Sequence, residues 1–96
     1  MNSKLELIRE KRAEIKAIVA RRKGISISIF GSVARGEESP ESDIDFLVQF
    51  SKDASLFDMG GLQVELSELL GMNVDVVSIG GLRARDSHIL KESIEL

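Results

Sequence analysis

The sequence predicts a small α/β (α+β) domain in which helices flank a mixed three-stranded sheet. The chain has 96 residues, of which 43% are hydrophobic and 30% are charged. These values are typical of one ordinary globular domain. Helix-type and strand-type patterns follow one another in the order α-β-α-β-α-β-α, and a sheet with helices packed on it is the simplest arrangement of such elements.

The first helix is predicted from Lys4 to Lys23, and the first strand follows it. Ser3 and Glu6 have the spacing of a capping box, and apolar residues then recur at helical spacing. Gly24 is expected to end the helix in a left-handed conformation. The strand, Ile25 to Phe30, alternates isoleucine with serine or phenylalanine, so its isoleucines share one face while the serines keep the other face small.

The second strand is predicted from Asp43 to Phe50. It is preceded by a glycine, Gly31, that ends the first strand, by a short helix over "SVAR", and by the polar turn region "GEESPES". Alternation along the second strand divides its side chains between two faces. One face carries Ile44, Phe46, Val48 and Phe50, and the other carries Asp43, Asp45 and Leu47.

Ser55 is expected to cap a second long helix that ends before Gly71 and buries Met59, Leu62, Leu66, Leu69 and Leu70. Gly60 and Gly61 are unfavourable inside this helix, by about 1 kcal/mol each relative to alanine. Two explanations stay open: the glycines allow close packing, or the regular helix begins only at Leu62. A third strand from Asn73 to Ile79 and a last helix within "DSHILKESIEL" complete the order.

Three aspartates form the candidate catalytic and metal-binding set. Asp43 and Asp45 lie two apart on a strand and so present adjacent carboxylates on one face. Two such anions repel unless a cation lies between them, and Mg²⁺ prefers oxygen ligands of this kind. Asp75 lies inside the apolar third strand. If the two strands pair, the three carboxylates could hold two metal ions about 3.5–4 Å apart, the arrangement used for phosphoryl transfer.

The turn after the first strand supplies candidate nucleotide-binding residues. Gly31 lets the backbone approach a phosphate closely, and Ser32 adds a hydroxyl where the short helix begins. Arg35 could reach a phosphate oxygen bidentately. Ser42, next to Asp43, is included with them, although capping of the turn is the alternative explanation. Each feature is weak alone, and the prediction depends on their combination and order.

"GSVARGEESPESDIDFLV" resembles the signature of the nucleotidyltransferase superfamily that includes DNA polymerase β, in which a Gly-Ser precedes an Asp-hydrophobic-Asp strand by about ten residues. "NVDVV" is similar to the strand that carries the family's third metal-binding acid. The motif "GSxARG…SDID" and the short length of the chain resemble those of the minimal nucleotidyltransferase branch of this superfamily. The resemblance covers the chain from the first helix to about Leu82. It implies that the sheet and helices adopt the polymerase β-like fold.

The resemblance also implies roles and partners. Gly31 and Ser32 would hold the triphosphate of ATP, Asp43 and Asp45 would bind two Mg²⁺ ions, and Asp75 would help to activate the attacking hydroxyl. Members of this branch act as antitoxins of HEPN-domain toxins by transferring AMP to a tyrosine of the toxin. Such a short chain is expected to lack the base-gripping second domain of larger members, which favours a partner subunit and a homo- or hetero-oligomer.

Two alternatives use the same residues differently. A non-catalytic antitoxin could neutralise its partner by masking it, although paired carboxylates are not needed for that. The chain could also be the catalytic subunit of a split transferase that acts on RNA or a small molecule, but the net charge of −3 disfavours nucleic acid. No apolar run approaches the roughly 20 residues of a membrane span, and the first residues contain no apolar stretch of the kind that a secretory signal has. A cytoplasmic location is therefore expected.

Overall fold

Four strands form one sheet in the computed structural model, which describes residues 3–96. They are β1 (Gly24–Phe30), β2 (Ile44–Phe50), β3 (Val74–Ser78) and β4 (Ile94–Glu95). Their spatial order is β3-β2-β1-β4, in which β2 and β3 are parallel and the other neighbours are antiparallel. The helices are α1 (Lys4–Glu10), α2 (Arg12–Arg21), α3 (Gly31–Arg35), α4 (Leu56–Leu70) and α5 (Ser87–Glu92). The predicted α/β class is confirmed, with one strand more than expected.

The core lies on one face of the sheet, beneath α1, α2 and α4. Alternation along β2 turns Ile44, Phe46 and Val48 toward this face, and all three are fully buried. Helix residues at the predicted spacing pack against them: Ile8, Ile15, Ile18, Val19, Leu62, Leu66 and Leu70. The opposite face of β2 therefore carries Asp45 and Leu47, as the sequence predicted.

The first helix is two helices, contrary to the prediction of one from Lys4 to Lys23. The chain leaves helical geometry at Lys11, whose φ and ψ are −95° and 9°, and α2 begins at the next residue. The apolar stripe has a gap here, because no apolar side chain lies on the buried face between Ile8 and Ile15. The predicted capping by Ser3 is present, since its hydroxyl accepts the N–H of Glu6 at 3.1 Å.

Gly24 does not have the predicted left-handed conformation. Lys23 does instead, with a φ of 62°, and Gly24 is already the first residue of β1. Glycine is needed there for space, because a Cβ would lie 2.4 Å from Cγ1 of Val19. The strand register then shifts between Gly24 and Ser26, so Ile25 is exposed and not part of the buried face with Ile27 and Ile29.

The regular part of α4 begins at Leu56, which rules out a start at Leu62. The predicted capping box is present, since Ser55 and Asp58 each accept the other's backbone N–H. Close packing explains Gly61, because a Cβ would lie 2.4 Å from the Arg22 guanidinium carbon, whereas Gly60 faces open space. Although α4 is the longest helix within residues 3–96, neither it nor any other there is long and apolar enough to cross a membrane.

The end of the chain forms a short helix and a strand, where the sequence predicted only a helix. Ser93 is extended, with φ and ψ of −70° and 146°, and it ends α5. Ile94 then pairs with Ile29, and the Leu96 N–H donates to the carbonyl of Ile27 at 3.0 Å. The edge of β1 thereby obtains hydrogen-bond partners for its free backbone groups, a gain that the local sequence pattern does not reveal.

Burial predicts which phenylalanines stabilise the fold. Phe46 is fully buried on a central strand, whereas Phe57 on α4 is 89% exposed. We expect Phe46→Ala to lower the free energy of unfolding by about 3–5 kcal/mol, because it removes a buried ring and leaves a cavity.

The matched control is Phe57→Ala, which is expected to change the free energy of unfolding by less than about 0.5 kcal/mol. Denaturant unfolding followed by circular dichroism measures both. Equal losses for the two variants would contradict the assignment of the core.

Candidate functional site

The structure brings the three predicted aspartates to one end of the sheet. Asp45 on β2 and Asp75 on β3 are directly paired in the parallel register, so their side chains leave the same face. Asp43 lies just outside β2, which begins at Ile44 and not at Asp43 as predicted. Asp45 is half-buried, whereas Asp43 and Asp75 are exposed. The arrangement is one sheltered carboxylate with a more accessible carboxylate on either side.

The charges of these residues act on one another. Burial raises the pKa of the Asp45 carboxyl above its ordinary value of 3.8, and the negative charges of Asp75 and Asp43 raise the pKa further. The positive charge of Arg35 opposes the shift, and Glu92 adds to it. Part of the rise in the Asp45 pKa therefore comes from neighbouring negative charges, whose effect a bound cation would offset.

The carboxylate oxygens of the three aspartates fit a Mg²⁺ site in part. Within the described residues 3–96, no three Asp, Glu or His side chains are arranged to hold a metal ion among themselves. Mg²⁺ commonly takes only one or two protein carboxylates and completes its shell with water and substrate phosphates. Asp45 with one neighbour satisfies that smaller requirement, so the donor set suits a Mg²⁺ ion delivered with phosphates better than a metal site made of protein alone.

Gly31 links the end of β1 to the aspartates. Its φ is 78°, a conformation that favours glycine, and a Cβ at this position would lie 2.3 Å from Oδ2 of Asp45. Phe30 before it pairs with Asp45 across the antiparallel strands. The Gly-Ser turn and the second aspartate are therefore in direct contact, although 13 residues separate Ser32 from Asp45 in the sequence.

The remaining predicted nucleotide-binding residues have protein partners. Arg35 forms ion pairs with Glu37 at 2.9 Å and with Glu92 at 3.2 Å. Ser32 is half-buried in α3, and its carbonyl accepts the N–H of Glu37 at 2.9 Å. Ser42 fits the capping alternative, because its hydroxyl accepts the backbone N–H of Ser39 at 2.9 Å. A role of any of them in nucleotide binding stays a prediction.

Sequence reasoning missed two residues at this site. Lys4 donates from its ammonium group to the carbonyls of Ser39 and Ser42, and it thereby ties α1 to the loop before Asp43. Beside this loop is an open cavity of about 360 Å³, lined by Lys4, Pro40, Glu41, Ser42, Asp43, Met72 and Asn73. Glu92 accepts a hydrogen bond from the Gly31 N–H at 3.3 Å. Neither residue has a local sequence signal, since each acts on a segment more than 30 residues away.

Comparison with known proteins assigns the class. Residues 12–96 match the nucleotidyltransferase domain family, so the chain belongs to that family and is a nucleotidyltransferase. A Methanocaldococcus jannaschii protein, provisionally assigned as a protein adenylyltransferase, is 43% identical over 70 residues, covering 72% of this chain and 75% of the relative. These matches confirm the resemblance that the Gly-Ser and Asp-x-Asp residues indicated.

Two solved structures are similar to the chain to different degrees. One, provisionally described as a minimal nucleotidyltransferase, has a TM-score of 0.87 and 41% sequence identity, covering 96% of this chain and 95% of that one. A tri-AMPylated Shewanella oneidensis HEPN toxin in complex with its MNT antitoxin has a TM-score of 0.67 at 18% identity, covering 91% and 69%. The second likeness shows the shared fold. The first confirms the similarity to the minimal branch.

The contact between Gly31 and Asp45 can be tested with a second glycine as control. Gly31 and Gly36 both have positive φ values, 78° and 72°, but a Cβ at Gly36 meets nothing within 4 Å. We expect Gly36→Ala to lose about 1–2 kcal/mol of stability, the cost of a left-handed alanine. Gly31→Ala should lose more, because the methyl group also displaces the Asp45 carboxylate. Denaturant unfolding measures the difference, and equal losses would contradict the contact.

The raised pKa of Asp45 predicts how stability depends on pH. Because the pKa in the folded state lies above the unfolded value near 3.8, ionisation of Asp45 destabilises the metal-free fold. We expect Asp45→Asn to raise the melting temperature at neutral pH in chelator-treated buffer. The gain should shrink as pH falls through the folded-state pKa and disappear below about pH 3.8, where the carboxyl is protonated in both states.

Asp53→Asn is a control variant for which the opposite change in melting temperature is expected. Hydrogen bonding from Ser51 and then Lys23 lowers the Asp53 pKa, so this carboxylate stabilises the fold at neutral pH and stops doing so as the solution becomes acidic. We expect Asp53→Asn to lower the melting temperature slightly at neutral pH. A pH-independent gain for Asp45→Asn would show that the carboxylate charge is not the cause.

Proposed function

We propose that this nucleotidyltransferase transfers AMP from Mg²⁺-bound ATP to a hydroxyl group of a protein, and that its acceptor is a HEPN-type toxin. The single observation that carries the proposal is the meeting of Asp45, Asp75 and Gly31 at one end of the sheet. At this place the carboxylates of Asp45 and Asp75 lie beside a backbone turn whose glycine, Gly31, has no Cβ. A nucleotidyl transfer site requires both parts, one for cations and one for phosphates.

Each residue then has a separate task. Asp43 and Asp45 would hold Mg²⁺, which supplies positive charge to the phosphate oxygens when it is bound. Gly31 and Ser32 would contact the phosphates, because the glycine turn brings the backbone within reach. The half-buried Asp45 is the better-fixed ligand, since β2 holds it and the Gly31 turn covers it. The proposal includes two ions, whose coordination shells phosphates and water would complete.

Asp75 is suited to activate the acceptor. It is exposed on β3, so a hydroxyl from another protein can reach its carboxylate. Asp75 would accept the hydroxyl proton while the oxygen attacks the α-phosphorus. The new oxygen–phosphorus bond replaces the bond to the β-phosphate, and pyrophosphate leaves with the electron pair. The acceptor retains AMP as a phosphodiester, and the proton passes from Asp75 to water.

The relatives support the choice of nucleotide and acceptor. The Methanocaldococcus jannaschii relative is assigned provisionally to protein adenylyl transfer, which uses a protein acceptor. The Shewanella oneidensis complex contains a HEPN toxin that carries AMP groups together with an MNT antitoxin. The same pairing here would make the chain an antitoxin. Its surface has room for a protein partner, since Leu56 and Phe57 at the start of α4 are more than 80% exposed.

Intact mass spectrometry tests the proposal. The purified chain is incubated with ATP, Mg²⁺ and a HEPN-type protein encoded beside its gene, and we expect the mass of that protein to increase by one or more AMP groups. Asp75→Asn should slow the transfer by about 10²–10⁴-fold, the usual loss of a general base. Asp45→Asn should slow transfer at least as much, because phosphate binding then lacks its cation.

Asp53→Asn is the matched control, since it removes a carboxylate at the opposite end of β2 and should leave the rate unchanged. An unmodified partner with every nucleoside triphosphate would contradict the proposal. If a chain without Asp43, Asp45 and Asp75 still protects cells from the toxin as well as the parent does, masking is the mechanism.

A further inference from the structure

Glu92 lies where the phosphates of a nucleotide are expected. Its Oε1 accepts the backbone N–H of Gly31 at 3.3 Å, and both of its carboxylate oxygens accept from Nη1 of Arg35, at 3.3 and 3.2 Å. Gly31 and Arg35 are two of the four residues that the sequence indicated for nucleotide binding. The Glu92 carboxylate thus already accepts hydrogen bonds from two residues that the sequence predicts to bind the phosphates of a nucleotide.

The surrounding structure holds Glu92 in this place. Glu92 is the last residue of α5, and β4 follows after Ser93. Ile94 pairs with Ile29 of β1, and the buried Leu96 donates its N–H to the carbonyl of Ile27. Because β1 pairs with β4 and leads directly into Gly31, the strand that holds the end of this segment lies next to the donor that Glu92 contacts. The contact is therefore built into the fold and is not the chance position of a free side chain.

Without its two hydrogen-bond donors, the Glu92 carboxylate would be electrostatically unfavourable at this position. Asp43, Asp45 and Asp75 already concentrate negative charge at this end of the sheet, and the charge of Glu92 raises the pKa of Asp45 further. The side chain of Glu92 is only 26% exposed, so water compensates it incompletely. The Gly31 N–H and the Arg35 guanidinium are the groups that keep Glu92 there. A phosphate that takes these donors leaves Glu92 facing other carboxylates.

We propose that Glu92 is an internal competitor of the nucleotide phosphates, which occupies their donors in the free protein and must leave when the nucleotide binds. The inference rests on the proposed nucleotide site and adds a residue that sets its affinity. When Glu92 leaves, Nη1 of Arg35 becomes available, while Glu37 still holds Nε of the same guanidinium at 2.9 Å. The arginine is then already oriented toward the phosphate.

The structural consequence concerns α5 and β4. Rotation of the Glu92 side chain alone can free the donors, and movement of α5 away from α3 frees them more completely. A partner that binds the α5 side of the molecule and draws Glu92 away would raise nucleotide affinity without touching the aspartates. If α5 moves, nucleotide binding and the position of the segment from Ser87 to Leu96 are coupled, and each affects the other equally.

Removal of one charge tests the competition. Glu92→Gln keeps the size and the hydrogen-bonding capacity of the side chain but binds a guanidinium and an N–H less strongly. Since the ion pair is partly exposed, we expect about threefold to tenfold tighter binding of Mg²⁺-bound ATP. Isothermal titration calorimetry measures the dissociation constant. In the transfer assay, KM for ATP should fall by a similar factor while kcat stays the same.

Glu95→Gln is the matched control. It removes the same charge from an exposed residue of the same segment, so it should leave the dissociation constant unchanged. NMR gives an independent measurement: the Gly31 amide resonance should shift in Glu92→Gln and not in Glu95→Gln. Melting temperatures of all three proteins show whether the variants are folded.

The outcomes separate the inference from the proposed function. If the wild type binds ATP and Glu92→Gln binds it equally or more weakly, Glu92 is not a competitor, and a role in orienting Arg35 replaces it. If Glu95→Gln tightens binding as much as Glu92→Gln does, overall charge is the cause and the inference is wrong. If neither the wild type nor Glu92→Gln binds any nucleoside triphosphate, the proposed function fails and the inference fails with it.

Discussion

The parallel pairing of β2 with β3 is the constraint on which the site depends. It places Asp45 directly beside Asp75, whereas a shift by one residue would turn one carboxylate toward the core. The buried face fixes this register, because Ile44, Phe46 and Val74 must all face the helices. The same burial that stabilises the fold therefore places two like charges side by side. Burial first, and then the charge of Asp75, raises the pKa of Asp45.

Charge at this end of the sheet is balanced by segments from distant parts of the chain. Lys4 ties the loop before Asp43 to the first helix, and Arg35 partly offsets the charge of Asp45. The negative charge of Glu92 repels the carboxylate of Asp45 and attracts the guanidinium of Arg35. A nucleotide with its cation, bound as proposed, would bring anions to Arg35 and positive charge to the carboxylates.

The success of the sequence-based prediction varied with the range of the interactions involved. Capping at Ser3 and Ser55, the alternation in β2 and the apolar stripe of α4 involve neighbours within a few residues, and the structure has them. In the stripe, Leu62, Leu66 and Leu70 are buried as predicted, whereas Met59 and Leu69 are only half-buried. Elements whose ends depend on distant contacts were predicted less well. The strand after Ser93 follows from pairing with β1, which no local pattern encodes. The break at Lys11 coincides with a gap in the apolar stripe that the prediction of one continuous helix overlooked.

The sequence by itself was enough to predict the class of protein, because the Gly-Ser turn and the Asp-x-Asp strand on adjacent elements resemble the nucleotidyltransferase signature. Only the tertiary structure decided what surrounds these residues. It showed that Gly24 packs against Val19, that Gly61 packs against the Arg22 guanidinium, and that Ser42 accepts a hydrogen bond within its own loop. It also placed Glu92 on the donors of Gly31 and Arg35. The reason is physical: hydrogen bonds and charges act through space, and 61 residues separate Gly31 from Glu92.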